Sequence, residues 1–245
     1  MNSEANNFFL QRSNQPEEQR PTYHVSKIMP ELWALLSDME RESLMLWSRF
    51  EKVDKDGVIF DGSRSPEYLY VLCEGQVKLT QARERPQIVQ LVSPSDYFGH
   101  VPFLAGVDEG LVAMAIEESL ICSYPISFFE SILEVNTSVA HFFLKELSQR
   151  LWQSYRLLMS LTQKHLRGRL ADAILLLRDT FGVEADGVTL KAKFSRSNLS
   201  ELCNMNRGNV TRTLREMESE GALLRSGLEI KITNLELLYQ ISKLG

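Results

Sequence analysis

FSRSNLSELCNMNRGNVTRTLREMESEGALL, residues 194–224, decides the fold of the C-terminal third of the chain. Ser195 and Asn206 are of residue types that cap helix N-termini, and each precedes a run with helical apolar spacing. Asn204 falls at the break between the runs, where asparagine is the non-glycine residue that best accepts a left-handed backbone. The apolar face of the first run holds Leu199, Leu202 and Cys203, and that of the second holds Val210, Leu214 and Met217. The stretch therefore predicts two short helices joined by a tight turn.

The first turn of the second predicted helix carries polar side chains that suit a DNA groove. A major groove admits one helix, which is read mainly from its N-terminal end. Arginine pairs with guanine and asparagine with adenine in bidentate fashion, and a helix N-terminus attracts phosphate. We therefore expect a DNA-binding surface made of Ser195, Arg196, Ser197, Asn206, Arg207, Gly208, Asn209, Thr211 and Arg212. The pattern alone also fits an ordinary helical hairpin with a charged solvent face.

The segments on either side of this pair favour the DNA-binding interpretation. Residues 166–179 have helical apolar spacing. Residues 222–233 read as a strand, a turn at Ser226 and Gly227, and a second strand, which is the pattern of a wing. We therefore assign residues 166–245 to a winged helix-turn-helix domain.

Residues 136–163 contain neither Gly nor Pro and predict one long helix. A helix of this length spans about 42 Å, more than a single small domain can cover. Its apolar side chains recur at seven residues, which predicts a parallel helix-to-helix dimer. The seam consists of Leu144, Leu147, Leu151, Ser154, Leu158 and Leu161. The alternative is a long helix that packs on its own sensor domain, and residues 136–165 are assigned to the dimerisation helix and hinge.

The N-terminal half has the pattern of an antiparallel β domain. Short β-type runs are separated by spacers rich in Gly, Pro and Asp, which favours a jelly-roll, cupin-like β-barrel. The predicted strands are residues 58–60, 68–73, 76–80, 88–92, 111–116 and 120–124. We assign residues 25–135 to this sensor domain and expect residues 1–24, rich in Asn, Gln, Glu and Pro, to form a mobile tail. The fold class is therefore α+β.

Composition limits the functional classes. The net charge is −5, but residues 166–245 carry 12 Lys+Arg against 10 Asp+Glu, so the surface that attracts anions lies in the C-terminal third. No apolar run approaches the roughly 20 residues that span a bilayer, and the N-terminus lacks a secretory signal, so we expect a cytoplasmic protein without a membrane partner. The three scattered cysteines are too few for an iron–sulfur cluster, which needs about four thiolates. No catalytic constellation is visible, and an enzyme is not expected.

Three segments resemble the CRP/FNR family of bacterial transcription regulators, in the family's order. Residues 194–224 resemble its DNA-binding segment without gaps, and GRLADAILLLR from Gly168 resembles the first helix of its winged domain. EYLYVLCEGQVKLT, preceded by Gly57 and Gly62, resembles its cyclic-nucleotide-type barrel. The resemblance covers residues 28–234 and implies a homodimer that binds palindromic double-stranded DNA and contacts RNA polymerase. The competing functional class is a ligand-binding or interaction module that does not bind DNA.

The recognition helix of the family carries an Arg, a Glu and a second Arg four residues after the Glu. Arg207 and Arg212 match the two arginines, whereas Gly208 stands at the position of the Glu. The resemblance therefore implies an operator altered at one base pair.

The sensor departs from the members that bind cyclic AMP. His100 replaces the Glu of their Gly-Glu pair, and Gly110 and Leu111 replace their Arg-Ser/Thr pair. No arginine lies between Arg85 and Arg150, so the cyclic phosphate would lack a partner and cyclic AMP is not the expected effector. The resemblance places the effector pocket at Gly99, His100, Val101, Leu111, Val112, Ser154 and Tyr155.

Haem is one remaining effector candidate, because some family members bind it in the barrel and sense CO or NO. His100 and His141 would be its axial ligands, with Met114 as a softer partner. Another small molecule, or no effector at all, stays open.

Overall fold

The computed structural model describes residues 25–63, 66–81, 85–107 and 110–244, so the predicted mobile tail lies outside the described residues. The helices are α1 (Val25–Ile28), α2 (Pro30–Leu35), α3 (Asp38–Trp47), α4 (His100–Leu104), α5 (Ile126–Val135), α6 (Thr137–Gln163), α7 (Leu166–Phe181), α8 (Arg196–Cys203), α9 (Arg207–Ser219) and α10 (Leu235–Leu244). The strands are β1 (Arg49–Val53), β2 (Val58–Phe60), β3 (Tyr68–Glu74), β4 (Val77–Gln81), β5 (Ile88–Val92), β6 (Tyr97–Phe98), β7 (Leu111–Ala115), β8 (Ser119–Pro125), β9 (Leu223–Ser226) and β10 (Glu229–Ile232).

The sensor domain consists of two four-stranded antiparallel sheets. The strand order is β1-β8-β3-β6 in the first sheet and β2-β7-β4-β5 in the second. No ladder joins the two sheets within the described strands, so the domain is a double-sheet jelly roll and a closed barrel is not shown. All six predicted strands are present, and the sequence missed β1 and the two-residue β6.

Aromatic side chains fill the space between the two sheets. The rings of Tyr70 and Phe98 stack with centroids 5.2 Å apart, and the ring of Phe60 lies 5.5 Å from that of Tyr70. Buried aliphatic residues surround them: Leu72, Val77, Leu79, Val92, Ala113 and Ile121. The interior of the jelly roll is therefore packed core.

A second core covers the outer face of the first sheet. Helices α1, α2, α3 and α5, with the first turns of α6, pack on β3 and β8. Asn136 joins these layers, because its Oδ1 caps α6 by accepting from the Val139 amide at 3.1 Å while its Nδ2 donates to the Glu40 carboxylate at 3.0 Å. Helix α6 thus begins at a fixed point on the sensor domain, one residue after the predicted start.

The third core belongs to the C-terminal domain, residues 166–244. Helix α7 is buried along its length, and α8, α9, α10 and the β9–β10 hairpin pack around it. The helix runs two residues beyond the predicted end, to Phe181, and stops at Gly182, whose φ is 78°. The hairpin confirms the predicted wing, whereas α10 was missed.

Candidate nucleic-acid interface and sensor site

The turn between α8 and α9 has the predicted geometry. The Ser195 hydroxyl accepts from the Asn198 amide at 3.1 Å, and Asn206 Oδ1 accepts from the Asn209 amide at 2.7 Å. Asn204 lies between them with φ 50° and ψ 53°, in the left-handed region. Both caps and the left-handed residue are therefore where the sequence predicts them, and together they set the angle between the two helices.

One face of α9 is held against the core, which orients the opposite face. Val210, Leu214 and Met217 are buried, as predicted, and Thr213 joins them. Arg225 of the wing clamps the far end of the helix, because its Nη2 donates to Glu218 Oε2 at 2.7 Å and its amide donates to Glu218 Oε1 at 3.1 Å. This pair was not predicted, because nothing in the local sequence pattern links residues 218 and 225.

The residues predicted to bind DNA are all at least partly exposed. Arg196, Asn206, Arg207, Gly208 and Arg212 are exposed, and the remainder (Ser195, Ser197, Asn209 and Thr211) are partly exposed.

Two arginines of this surface are pre-oriented by neutral partners. Arg207 Nη2 donates to Ser197 Oγ at 2.9 Å, and Arg212 Nη2 donates to Asn209 Oδ1 at 3.3 Å. Neither contact neutralises the positive charge, although Arg212 also lies 3.8 Å from Glu216. The Thr211 hydroxyl donates to the Arg207 carbonyl within the helix. At Gly208 an added Cβ would meet only Asn206 Oδ1, at 3.4 Å, so packing does not require glycine there.

The predicted dimer seam is exposed in the single chain. Only Val139, Phe143 and Ser160 are buried among the 27 residues of α6. The side chains of Leu144, Leu151 and Leu158 are 61%, 51% and 59% exposed, whereas Leu147 and Leu161 are partly buried. Exposed apolar residues that the heptad did not include widen the surface: Trp152, Tyr155 and Met159. Ser154 Oγ donates to the Arg150 carbonyl of its own helix.

The predicted effector residues do not come together in one pocket of the single chain. His100 packs against Phe129 and Phe143 in the core outside the first sheet, whereas Leu111 packs in the core between the sheets. Val101, Ser154 and Tyr155 are exposed, and Val112 is partly exposed. Gly99 lies directly on the ring of Tyr70, where an added Cβ would be 2.7 Å from Cδ2. The pattern matched the family's positions but could not show which core each side chain enters.

His100 is buried among aromatic rings. It is 1% exposed, and neither Nδ1 nor Nε2 makes a hydrogen bond of standard geometry within the described residues. Burial, and then the charge of Arg150, lower its pKa to about 4, against an opposing contribution from the Phe98 backbone. The ring is therefore neutral at pH 7.

Haem does not fit this environment. His100 is enclosed by phenylalanines, and the cavity that these line measures about 20 Å³, whereas pockets for ligands of drug size measure roughly 300–1,000 Å³. His141 is exposed on α6, and Met114 is half-buried on β7. Within the described residues no cluster of three or more His, Cys, Asp or Glu could hold a metal ion, and no helix is long and apolar enough to cross a membrane.

The comparisons with known proteins match both domains. A Crp-like helix-turn-helix domain model matches residues 168–241, and a cyclic nucleotide-binding domain model matches residues 50–136. The Global nitrogen regulator of Synechococcus elongatus is 27% identical over 197 residues, 78% of this chain and 89% of that protein. The Global nitrogen regulator of a Nostoc species is 29% identical over 175 residues, 69% and 78% of the two chains. The structure of FixK2 from Bradyrhizobium japonicum covers 79% of this chain and 96% of that one, with a TM-score of 0.71 at 23% identity.

These matches agree with the geometry. The two domain models follow each other in the order of the jelly roll and the winged domain, separated by α6. Their ranges include all but the first residue of β1, the strands β2–β8, all but the first two residues of α7, and the segment from α8 to β10. The chain belongs to the CRP/FNR family of DNA-binding transcription regulators, with a cyclic-nucleotide-binding-like sensor domain and a C-terminal helix-turn-helix domain.

Proposed function

We propose that the chain acts as a homodimer that binds a two-fold symmetric DNA site through α9 and responds to an effector other than cyclic AMP. The observation that carries this proposal is the exposed, pre-oriented pair Arg207 and Arg212 on a helix fixed by its caps and its wing contact. The proposed domains are residues 25–135 for the sensor, 136–165 for the dimerisation helix and hinge, and 166–245 for DNA binding.

The two arginines suit base contacts. Each guanidinium can give two parallel hydrogen bonds to guanine O6 and N7. Because Gly208 offers no carboxylate, the base pair that a glutamate would read has no acceptor here. Asn209, half-exposed beside Arg212, supplies an amide that suits adenine. Ser195, Arg196 and Ser197 at the start of α8 would contact phosphate, which positions the helix without selecting sequence.

The exposed face of α6 supports dimerisation. Leu144, Leu151 and Leu158 lie seven residues apart and leave apolar area in water that a second α6 would bury. A two-fold dimer would place two α9 helices about one DNA turn apart, as a palindromic site requires. RNA polymerase is the expected further partner of a regulator of this kind, and no catalytic activity is proposed.

The sensor interior argues against cyclic AMP. Phe60, Tyr70 and Phe98 occupy the space between the sheets, and Gly99 packs on Tyr70. A cyclic phosphate there would have to displace these rings, and the segment from 86 to 149 supplies no arginine to pair with it.

Two sets of contacts can carry a change in the sensor to the DNA-binding domain. At the hinge, Lys164 Nζ lies 2.8 Å from Asp172 Oδ2, and Ser242 Oγ donates to Asp172 Oδ1 at 2.5 Å. At the second sheet, the buried Lys78 Nζ lies 2.6 Å from Glu201 Oε2 and 2.9 Å from Asn198 Oδ1 of α8. We propose that a shift of the sheets or of α6 changes these contacts and thereby the spacing of the two α9 helices.

The base-contact assignment is tested by fluorescence anisotropy with a duplex enriched from random DNA by the wild-type protein. Arg207→Ala should weaken specific binding by about 1–3 kcal/mol, roughly 5- to 150-fold, and relax one position of the site. Arg215→Ala, which removes an exposed arginine further along the same helix, is the matched control and should have a much smaller effect. Equal weakening by Arg207→Ala on specific and scrambled duplexes would show that Arg207 contacts phosphate instead.

A further inference from the structure

The second sheet of the sensor domain docks directly on helix α8 of the C-terminal domain. Ile88 of β5 is fully buried, and together with Ile116 it belongs to the hydrophobic core that α8 helps to form. Gln87 Nε2 donates to the Leu202 carbonyl of α8 at 3.2 Å. Side chains at this contact are shielded from water, and a charged side chain there needs a partner of opposite charge.

Lys78 of β4 brings a positive charge to this contact. Its side chain is 10% exposed, and that of Glu201, its partner on α8, is 14% exposed. Lys78 Nζ lies 2.6 Å from Glu201 Oε2 and 2.9 Å from Asn198 Oδ1. Removing one member of a pair that is buried to this extent leaves the other charge uncompensated, which is costly. The carboxylate of Glu201 therefore depends on a cation that the sensor domain supplies.

The other oxygen of the Glu201 carboxylate is connected to helix α9. The Ser197 hydroxyl donates to Glu201 Oε1 at 3.2 Å, and the same hydroxyl oxygen accepts from Arg207 Nη2 at 2.9 Å. Because the hydroxyl proton points to Glu201, the lone pairs of Ser197 are available to Arg207. A continuous chain of polar contacts thus leads from Lys78 through Glu201 and Ser197 to an arginine that is proposed to read a base.

The order of charges along this chain decides what each group does. Glu201 is an anion placed one hydroxyl away from Arg207, a cation that must leave its own contact to bind DNA. With Lys78 in place, the carboxylate is already paired with an ammonium, so its attraction for Arg207 is weakened. Without Lys78, Glu201 is a mostly buried anion that Arg207 can compensate by a direct ion pair. An arginine held in this way is withdrawn from the guanine edge.

We propose that Lys78 and Glu201, neither of which is among the residues predicted to bind DNA, are positioning residues for Arg207. Lys78 holds the Glu201 carboxylate, so that Arg207 stays free to read its base pair. The inference rests on the proposed DNA-binding function. Because Lys78 lies on the sensor sheet, a movement of that sheet away from α8 releases Glu201 to capture Arg207. The sensor domain thereby controls base selection as well as the spacing of the two α9 helices.

The test measures how strongly the protein prefers the selected duplex over a duplex changed at the base pair whose preference Arg207→Ala removes. Both duplexes have the same phosphates, so contacts with the backbone contribute equally to the two affinities. Lys78→Met should reduce the preference by about fivefold, the upper range for a partly exposed ion pair that competes for Arg207. Lys78→Met/Glu201→Gln should restore the wild-type preference, because no carboxylate remains to capture Arg207. Lys52→Met, which removes an exposed lysine of β1, is the matched control and should leave the preference unchanged.

A second variant keeps the test independent of the buried pair. Ser197→Ala removes only the partly exposed hydroxyl between the two charges, and should lower the preference by about twofold, the low end for a lost hydrogen bond. Ser197→Ala/Glu201→Gln should recover it. All affinities are measured well below the Tm of each variant. A wild-type preference in both Lys78→Met and Ser197→Ala, or a loss that Glu201→Gln does not reverse, would overturn the proposal.

The wild-type protein separates failure of this inference from failure of the proposed function. If the wild type prefers the selected duplex and Arg207→Ala removes that preference while Lys78→Met keeps it, only the positioning role is refuted. If the wild type prefers no duplex, the proposed function itself is refuted.

Discussion

The two domains of this chain differ in the exposure of the side chains at the positions that match the family's ligand-binding residues. In the DNA-binding domain, Arg207 and Arg212 are exposed at the start of α9 on a frame of buried apolar residues. In the sensor domain, His100 at the matching ligand position is buried among phenylalanines, and Gly99 packs against Tyr70. The family's fold is present in both domains, but only in the C-terminal domain are the side chains that match the family's positions exposed. Fold and ligand are therefore separate inferences.

The comparison predicts that function in the C-terminal domain depends on pairing two copies. In Leu151→Glu/Leu158→Glu, charges on the exposed seam of α6 should give a monomer that stays folded, because neither residue contributes to a core. Operator affinity should then fall by at least about 100-fold, because the two half-site contacts are no longer linked in one molecule. Light scattering and anisotropy give the two readouts, with Gln149→Glu on the outward face of the same helix as control. A monomer with wild-type operator affinity would contradict the dimer account.

For the sensor domain, the comparison predicts that the burial of His100 lowers the free energy of unfolding at acidic pH. The folded pKa of His100 is about 4 against 6.5 for the free side chain, so the unfolded chain binds more protons between these values. Protonation of His100 should therefore lower the free energy of unfolding by about 3 kcal/mol as pH drops from 6.5 towards 4. Above pH 6.5, His100 should make no pH-dependent contribution. Urea unfolding of wild type and His100→Phe at pH 7 and pH 4.5 measures the effect. Parallel losses in both proteins would show that His100 is not buried in its neutral form.

Two glycines sharpen the contrast between a structural and a functional position. Gly99 has φ 90°, and an added Cβ would lie 2.7 Å from the Tyr70 ring, so Gly99→Ala should destabilise the protein by about 1–3 kcal/mol. Gly208 is helical and an added Cβ would make only one ordinary contact, 3.4 Å from Asn206 Oδ1, so Gly208→Ala should stabilise the protein by up to about 1 kcal/mol. Urea unfolding measures the change in the free energy of unfolding for both variants. A similar decrease for the two variants would show that Gly208 also has a packing role.

Local chemistry predicted much of the fold. The caps at Ser195 and Asn206 and the left-handed Asn204 follow from short-range rules, and the structure has all three. The limits of α6 were predicted within one residue because Asn136 caps its start and the helix contains neither Gly nor Pro. A cap signal also existed for the missed α10, since Asn234 Oδ1 accepts from the Leu237 amide.

The missed features depend on contacts between distant segments. Strand β1, RFEKV, carries three charged residues in five and is a strand because it pairs with β8. Helix α5 follows β8 directly, and no side chain caps its start. The burial of His100 is set by Phe129 and Phe143, 29 and 43 residues away, so no local pattern could separate it from an exposed pocket residue.

Selection of duplexes from a random DNA pool by the purified full-length protein tests the central claim most directly. The account predicts an enriched site with two-fold symmetry, with half-sites centred about one helical turn apart and each bound complex containing two protein chains. Enrichment of an asymmetric site bound by one chain, or no enrichment above a scrambled background, would contradict it.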